Sequence, residues 1–530
     1  MAGGALLLLG CGAVVIAFAA LPYKPFDLDR YFVPKELTLH LTALGAGLLC
    51  LARARTITVE RVDIFLALYL LLGAIASLFA QNWWLAERAM TVSISGAVCF
   101  WCARTVGRAG YGRALLAALA LATVVAAGTS LAQTYGLESE YFSINRAPGG
   151  TLGNRNFIAH LAAIGLPILM LRTLDARRSG GVAMGGLGLG LLAAVLFLTR
   201  SRNAWLALAV SGALVVLAVL STRSLWRDAP LGKRVRLLSV LAIGGVVAAL
   251  ALPNTLEWKS DSPYLDTVRG VVNYREGSGH GRILQYRNSI KLVESHPFLG
   301  VGPGNWPVHY PSVAARNDPS LDRDSGMTAN PWPSSDWIAF LSERGIPAVV
   351  LMLLAVISIA VGAGRQWRNA QSASERLGAL ALAATLIVIV IVGAFDAVLL
   401  LGAPSLIAWS ALGVLSASAA PRRALVGQAE LRGWAIALLL LTGSIAVARS
   451  AGQIQAMTIF TSATRPSALV AASRFDPGSY RIRMRLAESY ARRGDCGGVR
   501  AQAGAAHRLF PSAPAPRWQL EACGLKVRDR

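Results

Sequence analysis

The sequence predicts an all-α polytopic membrane protein of about 12–13 transmembrane helices, with one large polar loop and a small helical tail outside the bilayer. Three observations predict it. Of 530 residues, 55% are hydrophobic and 15% charged, and mean hydropathy is +0.52, a balance no ordinary soluble domain has. Apolar runs of spanning length recur along most of the chain. Lys and Arg outnumber Asp and Glu by 51 to 28, yet they recur in the connections between runs. The excess therefore reads as membrane orientation and gives no reason to expect a nucleic-acid partner.

The runs fall at roughly 4–20, 37–53, 63–80, 91–105, 112–133, 156–172, 181–199, 203–221, 234–252, 346–363, 376–393, 404–419 and 432–449. Several are short, so one or two are expected to tilt, merge or re-enter. With the N-terminus in the cytoplasm, every second connection should be basic. These connections read Arg53 to Arg61, Arg104 to Arg113, Arg172 to Arg178, Arg223 to Arg236, Arg365 to Arg376 and Arg422 to Arg432, and all six satisfy the rule. The expected setting is a bacterial inner membrane, with the C-terminus in the periplasm. The first run lacks a basic leader and is followed by Leu21-Pro22-Tyr23-Lys24 without a small-residue cleavage pattern, so it reads as a retained helix.

This topology divides the chain into an N-terminal transmembrane bundle (1–252), a large periplasmic loop (253–335), a C-terminal transmembrane bundle (336–449) and a periplasmic tail (450–530). In the tail, Asp476-Pro477-Gly478-Ser479 starts a helix and Gly494 to Gly498 breaks it before an Ala-rich second helix. Leu486, Ala487, Tyr490, Val499, Ala503, Ala506 and Pro511 fall where a tetratricopeptide repeat places its packing residues; an Ala-rich helical hairpin fits the same pattern. Such a tail could engage envelope partners. Cys496 and Cys523 lie in this oxidising compartment and are expected to pair, with free thiols as the alternative. Cys99 and Cys102 have the spacing of a redox motif but lie inside a helix with no thioredoxin-like pattern around them.

The glycine clusters 185–190 and 300–304 look like nucleotide loops, but one is inside a span and the other follows no strand, so helix packing and a turn are the expected uses. More informative are arginines on the outer side, where cations are scarce, because guanidinium suits phosphate oxygens. Arg146, Arg155, Arg200, Arg202, Arg275, Arg282 and Arg287 are the candidates, with Arg200 or Arg146 expected to snorkel at the interface.

Four segments carry a family resemblance: Thr199-Arg200-Ser201-Arg202-Asn203-Ala204-Trp205, Gly281-Arg282 with the helix after it, His296-Pro297-Phe298-Leu299-Gly300 through Trp306, and Asp336 through Glu343-Arg344-Gly345-Ile346-Pro347. Together with Gly153-Asn154-Arg155-Asn156, and in this order around a large outer loop, they resemble the O-antigen ligase and polymerase family. The resemblance covers roughly 150–360 in detail and the bundle in outline. It implies a bundle akin to C-type glycosyltransferases and a metal-independent transfer of a glycan from an undecaprenyl-diphosphate donor. The acceptor hydroxyl would belong to a glycan, to lipid A core or to protein. It also implies that Arg202 and Arg282 bind the diphosphate, with Arg155 and Arg287 as further candidates.

The sequence departs from the family where ligases usually carry a His two residues before Asp336, since Ser334 stands there. Either His280 or His309 substitutes as base, or Asp336 and Glu343 serve, or activity is altered or lost. His296 reads as part of a turn. Asp27 with Asp29, and Asp322 with Asp324, read as solvated or salt-bridged carboxylates; no metal or other cofactor is expected. Trp306, Trp332, Trp337 and Tyr310 could stack on sugars or anchor at the interface. Two other classes compete with the enzyme: a flippase or transporter for lipid-linked sugars, and a non-catalytic assembly subunit. The spans hold few ionisable groups, His160 and Asp396 being the notable ones, which disfavours ion coupling.

Overall fold

A computed structural model describes residues 2–52, 54, 57–143, 146–222, 231–258, 260–270, 277–418, 423–424 and 428–524. Arg53, Arg55, Arg223, Arg275 and Arg422, singled out above, lie outside the described residues.

The first half is a succession of apolar helices: α1 (Ala2–Phe18), α2 (Asp29–Ala52), α3 (Arg61–Ser77), α4 (Trp83–Val106), α5 (Gly112–Thr134), α6 (Arg155–Leu174), α7 (Ser179–Leu198), α8 (Arg202–Ser221) and α9 (Leu231–Ala251). The long loop contributes α10 (Pro263–Arg269), α11 (Gly277–Ser295) and α12 (Trp306–Val313). The bundle then resumes with α13 (Asp336–Asn369), α14 (Ala373–Phe395), α15 (Gly402–Leu415) and α16 (Gln428–Ser462). Four short helices close the chain: α17 (Pro466–Phe475), α18 (Tyr480–Ala491), α19 (Cys496–Leu509) and α20 (Pro514–Ala522).

Each apolar run found in the sequence overlaps one helix, and polar residues set the starts. Asn82, Ser335, Ser372, Ser479 and Asp495 each accept a backbone N–H from the first turn that follows. Among the described residues, nine helical stretches are long and apolar enough to cross a membrane. One of them, 83–134, holds two of the runs, joined through a break at Gly110. The runs at 4–20 and 404–419 correspond to helices of only 17 and 14 residues. At 1.5 Å per residue, α15 is about 21 Å long, short of a hydrocarbon core of about 30 Å. It compensates by lying inside the bundle, every one of its residues buried, against α2, α4, α6 and α14.

The connections segregate to two ends. At one, Arg104 pairs with Glu60 and Asp63 at 3.1 and 2.6 Å, and Arg113 and Arg172 converge on Asp175 at 3.0 and 3.5 Å. There too the two-residue strands β1 (Thr58–Val59) and β2 (Arg423–Ala424) pair antiparallel. The long loop, the α1–α2, α3–α4, α5–α6, α7–α8 and α14–α15 turns and the tail gather at the other end. For example, Asn82 joins Asn305 of the loop and Leu509 of the tail, and Phe26 packs edge-on against Phe460.

The glycine-rich segment after α11 is a turn docked on α13. Gly300 has φ +64 and Gly345 φ +78, and a Cβ on either would collide with the other segment's backbone. Glu343 completes the joint, accepting the N–H groups of Gly304 (2.8 Å) and Trp306 (3.4 Å). Trp306 and Tyr310 are fully buried, Trp306 donating to Ser289, so they form the loop's own small core and offer no face to a sugar. In the tail, Leu486, Ala487, Val499, Ala503 and Ala506 are buried between antiparallel helices, and Cys496 and Cys523 are disulfide-bonded, 5.6 Å apart at Cα.

Two outcomes follow for stability. Glu343→Ala strands one buried and one half-buried N–H group and is expected to cost about 1–3 kcal/mol, read as a lower melting temperature in detergent. Replacing Cys496 and Cys523 with Ser frees a loop closed over a separation of 27 residues. By chain entropy this should cost the tail ~3.5 kcal/mol, and the wild type should show the same loss under reductant.

Candidate functional site

The α14–α15 turn, residues 396–401, breaks the helical ladder at the loop end of the bundle, and its backbone polar groups must find partners. Asp336, the first residue of α13, accepts the N–H groups of Val398 (3.0 Å) and Leu399 (2.9 Å). Ser335 caps α13 and donates to Gly393 O at 3.2 Å. On α11, Tyr286 donates its hydroxyl to Ser334 O (2.6 Å) and Ala394 O (2.9 Å). Asn203, in the first turn of α8, donates to Phe395 O at 3.4 Å. Three elements thus meet at the end of α14 and its turn.

Asp396 sits at its centre. One carboxylate oxygen accepts the Ala397 N–H at 2.9 Å; the other lies 3.4 Å from Asn156 Nδ2 and 3.9 Å from His160 Nε2. His160 is fully buried on α6, and neither ring nitrogen has a hydrogen-bond partner. Asp396 keeps some exposure, 12% of its side chain, so it is the member of the pair that a bound molecule can reach.

Arginines gather at this end of the bundle, and one of them acts on the pair. Arg282, one helical turn before Tyr286 on the same face of α11, lies within electrostatic reach of His160. Its half-buried guanidinium makes no hydrogen bond or ion pair with a described residue. Arg202, next to Asn203, donates to Gly270 O. Arg155 opens α6, one turn from His160, and its guanidinium carbon lies 5.1 Å from the centroid of Trp258. Arg200 has φ +55, donates Nε to Thr267 Oγ1 at 2.8 Å and lies 4.6 Å from the same indole. Arg200 therefore does not simply snorkel, as the sequence suggested; the long loop draws it in. Arg146 gives its carbonyl to the Arg155 N–H at 3.0 Å.

The remaining candidates divide. Asp336 lies at the site, but both carboxylate oxygens are engaged by the turn's backbone. Glu343 is likewise engaged, in the joint with the glycine-rich turn. His309 lies against His296, ring centroids 6.3 Å apart, at the far end of α11. Fourteen residues separate His296 from Arg282, about 21 Å along a helix. Burial, with the His296 ring beside it, pushes the His309 imidazole below its ordinary value and favours the neutral form. His280 and Arg287 are exposed, the latter on a different face of α11 from Arg282. Position 334, where a His was expected, is at the site, its N–H donating to Gln285 Oε1 at 2.7 Å.

Trp332 packs against Phe32 and Phe157 at 5.0 and 6.2 Å, and the Trp337 indole donates to Val390 O at 3.2 Å. Among the described residues no cluster of three His, Cys, Asp or Glu side chains is placed to hold a metal. Asp29 pairs with Arg88 at 2.9 Å and Asp322 caps its own turn through Ser325. Sequence reasoning gave no role to Asp396, His160 or Trp258. The signal for the first two was present, since ionisable groups within apolar spans are rarely idle.

No curated protein matches the chain. Residues 187–353 match the family model described as O-Antigen ligase, a stretch that runs from α7 through α13 and contains Arg200, Arg202, Trp258, Arg282, Asp336 and Glu343. This is the region in which the sequence motifs were recognised; the match supports their resemblance to the O-antigen ligase and polymerase family, and with nine apolar helical stretches among the described residues it fits a multi-pass membrane protein of a glycan-transferring class.

Proposed function

We propose that this protein transfers a glycan from an undecaprenyl-diphosphate donor to an acceptor hydroxyl at the periplasmic face of the inner membrane. The observation that supports the reading is a group of arginines at the end of the bundle opposite the basic connections: Arg155 and Arg200 share the Trp258 face, Arg202 lies within electrostatic reach of Arg200, and Arg282 within electrostatic reach of His160, which faces Asp396. If cytoplasmic connections are the basic ones, the arginine site and the tail face the periplasm.

In this reading the acceptor oxygen attacks the anomeric carbon while the bond from that carbon to the diphosphate breaks. The acceptor proton passes to Asp396, and the electron pair leaves on the lipid diphosphate, where the arginines stabilise it. Fixed guanidinium donors in a partly dry cleft need no reorganisation as that charge develops. Asn156 holds the Asp396 carboxylate in place, with the His160 imidazole beside it at 3.9 Å. Asp396 thereby takes the part left vacant by Ser334, while Asp336 and Glu343 keep the scaffold in register. His309, His280 and Arg287 are proposed to stand outside the reacting centre. The helical tail, joined to the long loop through Val308, Phe510 and Ala513, is suited to docking an acceptor or an envelope partner of tetratricopeptide-binding type.

Arg282→Ala and Arg202→Ala should each lower the transfer rate about 100-fold or more with expression intact, seen as loss of the glycan ladder on gels and as lipid-linked precursor accumulating at the periplasmic face. Precursor held at the cytoplasmic face would instead favour a flippase. Asp396→Asn should lower turnover by about 100-fold to 10,000-fold while donor binding persists; wild-type turnover in that variant would remove Asp396 from the mechanism.

A further inference from the structure

Trp258 belongs to the first stretch of the long loop, yet both Arg155 of α6 and Arg200 of the α7–α8 turn bring their guanidinium groups over its indole, at 5.1 and 4.6 Å. The two arginines come from separate elements. Neither forms a salt bridge with a described residue, and Arg155 has no other described side-chain partner.

The indole is itself held. Its N–H bonds the Tyr264 hydroxyl, Tyr264 stacks on Phe197 with centroids 4.7 Å apart, and Phe197 stacks on Trp205 at 5.5 Å. An aromatic column thus runs from the first turn of α8, across the last turn of α7 and through α10, to the two cations.

Two guanidinium groups brought together repel each other; Asp266 lies within electrostatic reach of Arg200 but forms no ion pair with it, so something more must hold the two. A carboxylate would do so by filling their N–H donors and cancelling their charge. An aromatic face attracts each cation through its ring quadrupole and takes none of the in-plane donors. The pair stays charged and open to an incoming anion. We infer that Trp258 is a positioning residue for the donor's diphosphate, holding Arg155 and Arg200 as a pre-set pair of donors beside Arg202 and Arg282. The inference rests on the diphosphate reading of the site given above.

The test is equilibrium binding of undecaprenyl diphosphate and of undecaprenyl monophosphate to the purified full-length protein in lipid nanodiscs. Trp258→Leu should weaken diphosphate binding about tenfold and leave monophosphate binding nearly unchanged, so that discrimination between the two lipids falls. Trp258→Phe keeps a π face and should recover binding to within about threefold of wild type. Melting temperatures of both variants should match wild type. If Trp258→Leu binds both lipids as wild type does, or loses both equally, the inference is overturned. Arg155→Ala and Arg200→Ala separate the two levels. Should they weaken diphosphate binding where Trp258→Leu does not, the role of Trp258 alone falls; should they have no effect, the diphosphate reading of this pair falls too.

Discussion

Backbone polar groups inside a membrane-level bundle cannot be left to water, and the α14–α15 turn is where this constraint bears hardest. With no ladder of its own, the turn draws acceptors and donors from around it: Asp336 and Ser335 of the α13 start, Tyr286 of α11 and Asn203 of α8. Satisfying those groups brings four distant parts of the sequence to one place. The same convergence fixes the backbone that carries Arg202, beside Asn203, and Arg282, one turn before Tyr286 and within electrostatic reach of His160. Architecture and chemistry share one cause.

The same logic separates the acidic residues by role. Asp336 and Glu343 are buried carboxylates whose oxygens are taken up by main-chain N–H groups, an arrangement that fixes loops and leaves little capacity for a substrate. Asp396 differs because its partners are a side-chain amide, a distant imidazole and one N–H, and because part of it reaches the surface. Among the arginines at the basic end, Arg104, Arg108, Arg113 and Arg172 are paired with Glu60, Asp63 and Asp175, whereas Arg155 and Arg282 have no such partner among the described residues.

Much of this was legible in the sequence. Hydropathy located every long apolar helix among the described residues, because spanning length is a direct physical requirement, and the alternation of basic connections anticipated which connections share an end. The short α15 was harder, since a buried apolar helix and a spanning one have the same composition. The family resemblance read from the motifs falls in the stretch 187–353 that matches the O-Antigen ligase model. Asp396 and His160 were visible as charges out of place, but their pairing joins α6 to the end of α14 across 236 residues of sequence, and no local pattern encodes it. Trp258 carried no signal, because its meaning lies in two cations supplied by other elements.

The most direct measurement is a structure of the protein with undecaprenyl diphosphate bound. The account predicts phosphate oxygens within hydrogen-bonding distance of Arg202 and Arg282 and an open path from the lipid's terminal phosphate to Asp396. A diphosphate bound at the opposite end of the bundle, or at this end with those two arginines turned away from it, would contradict the account.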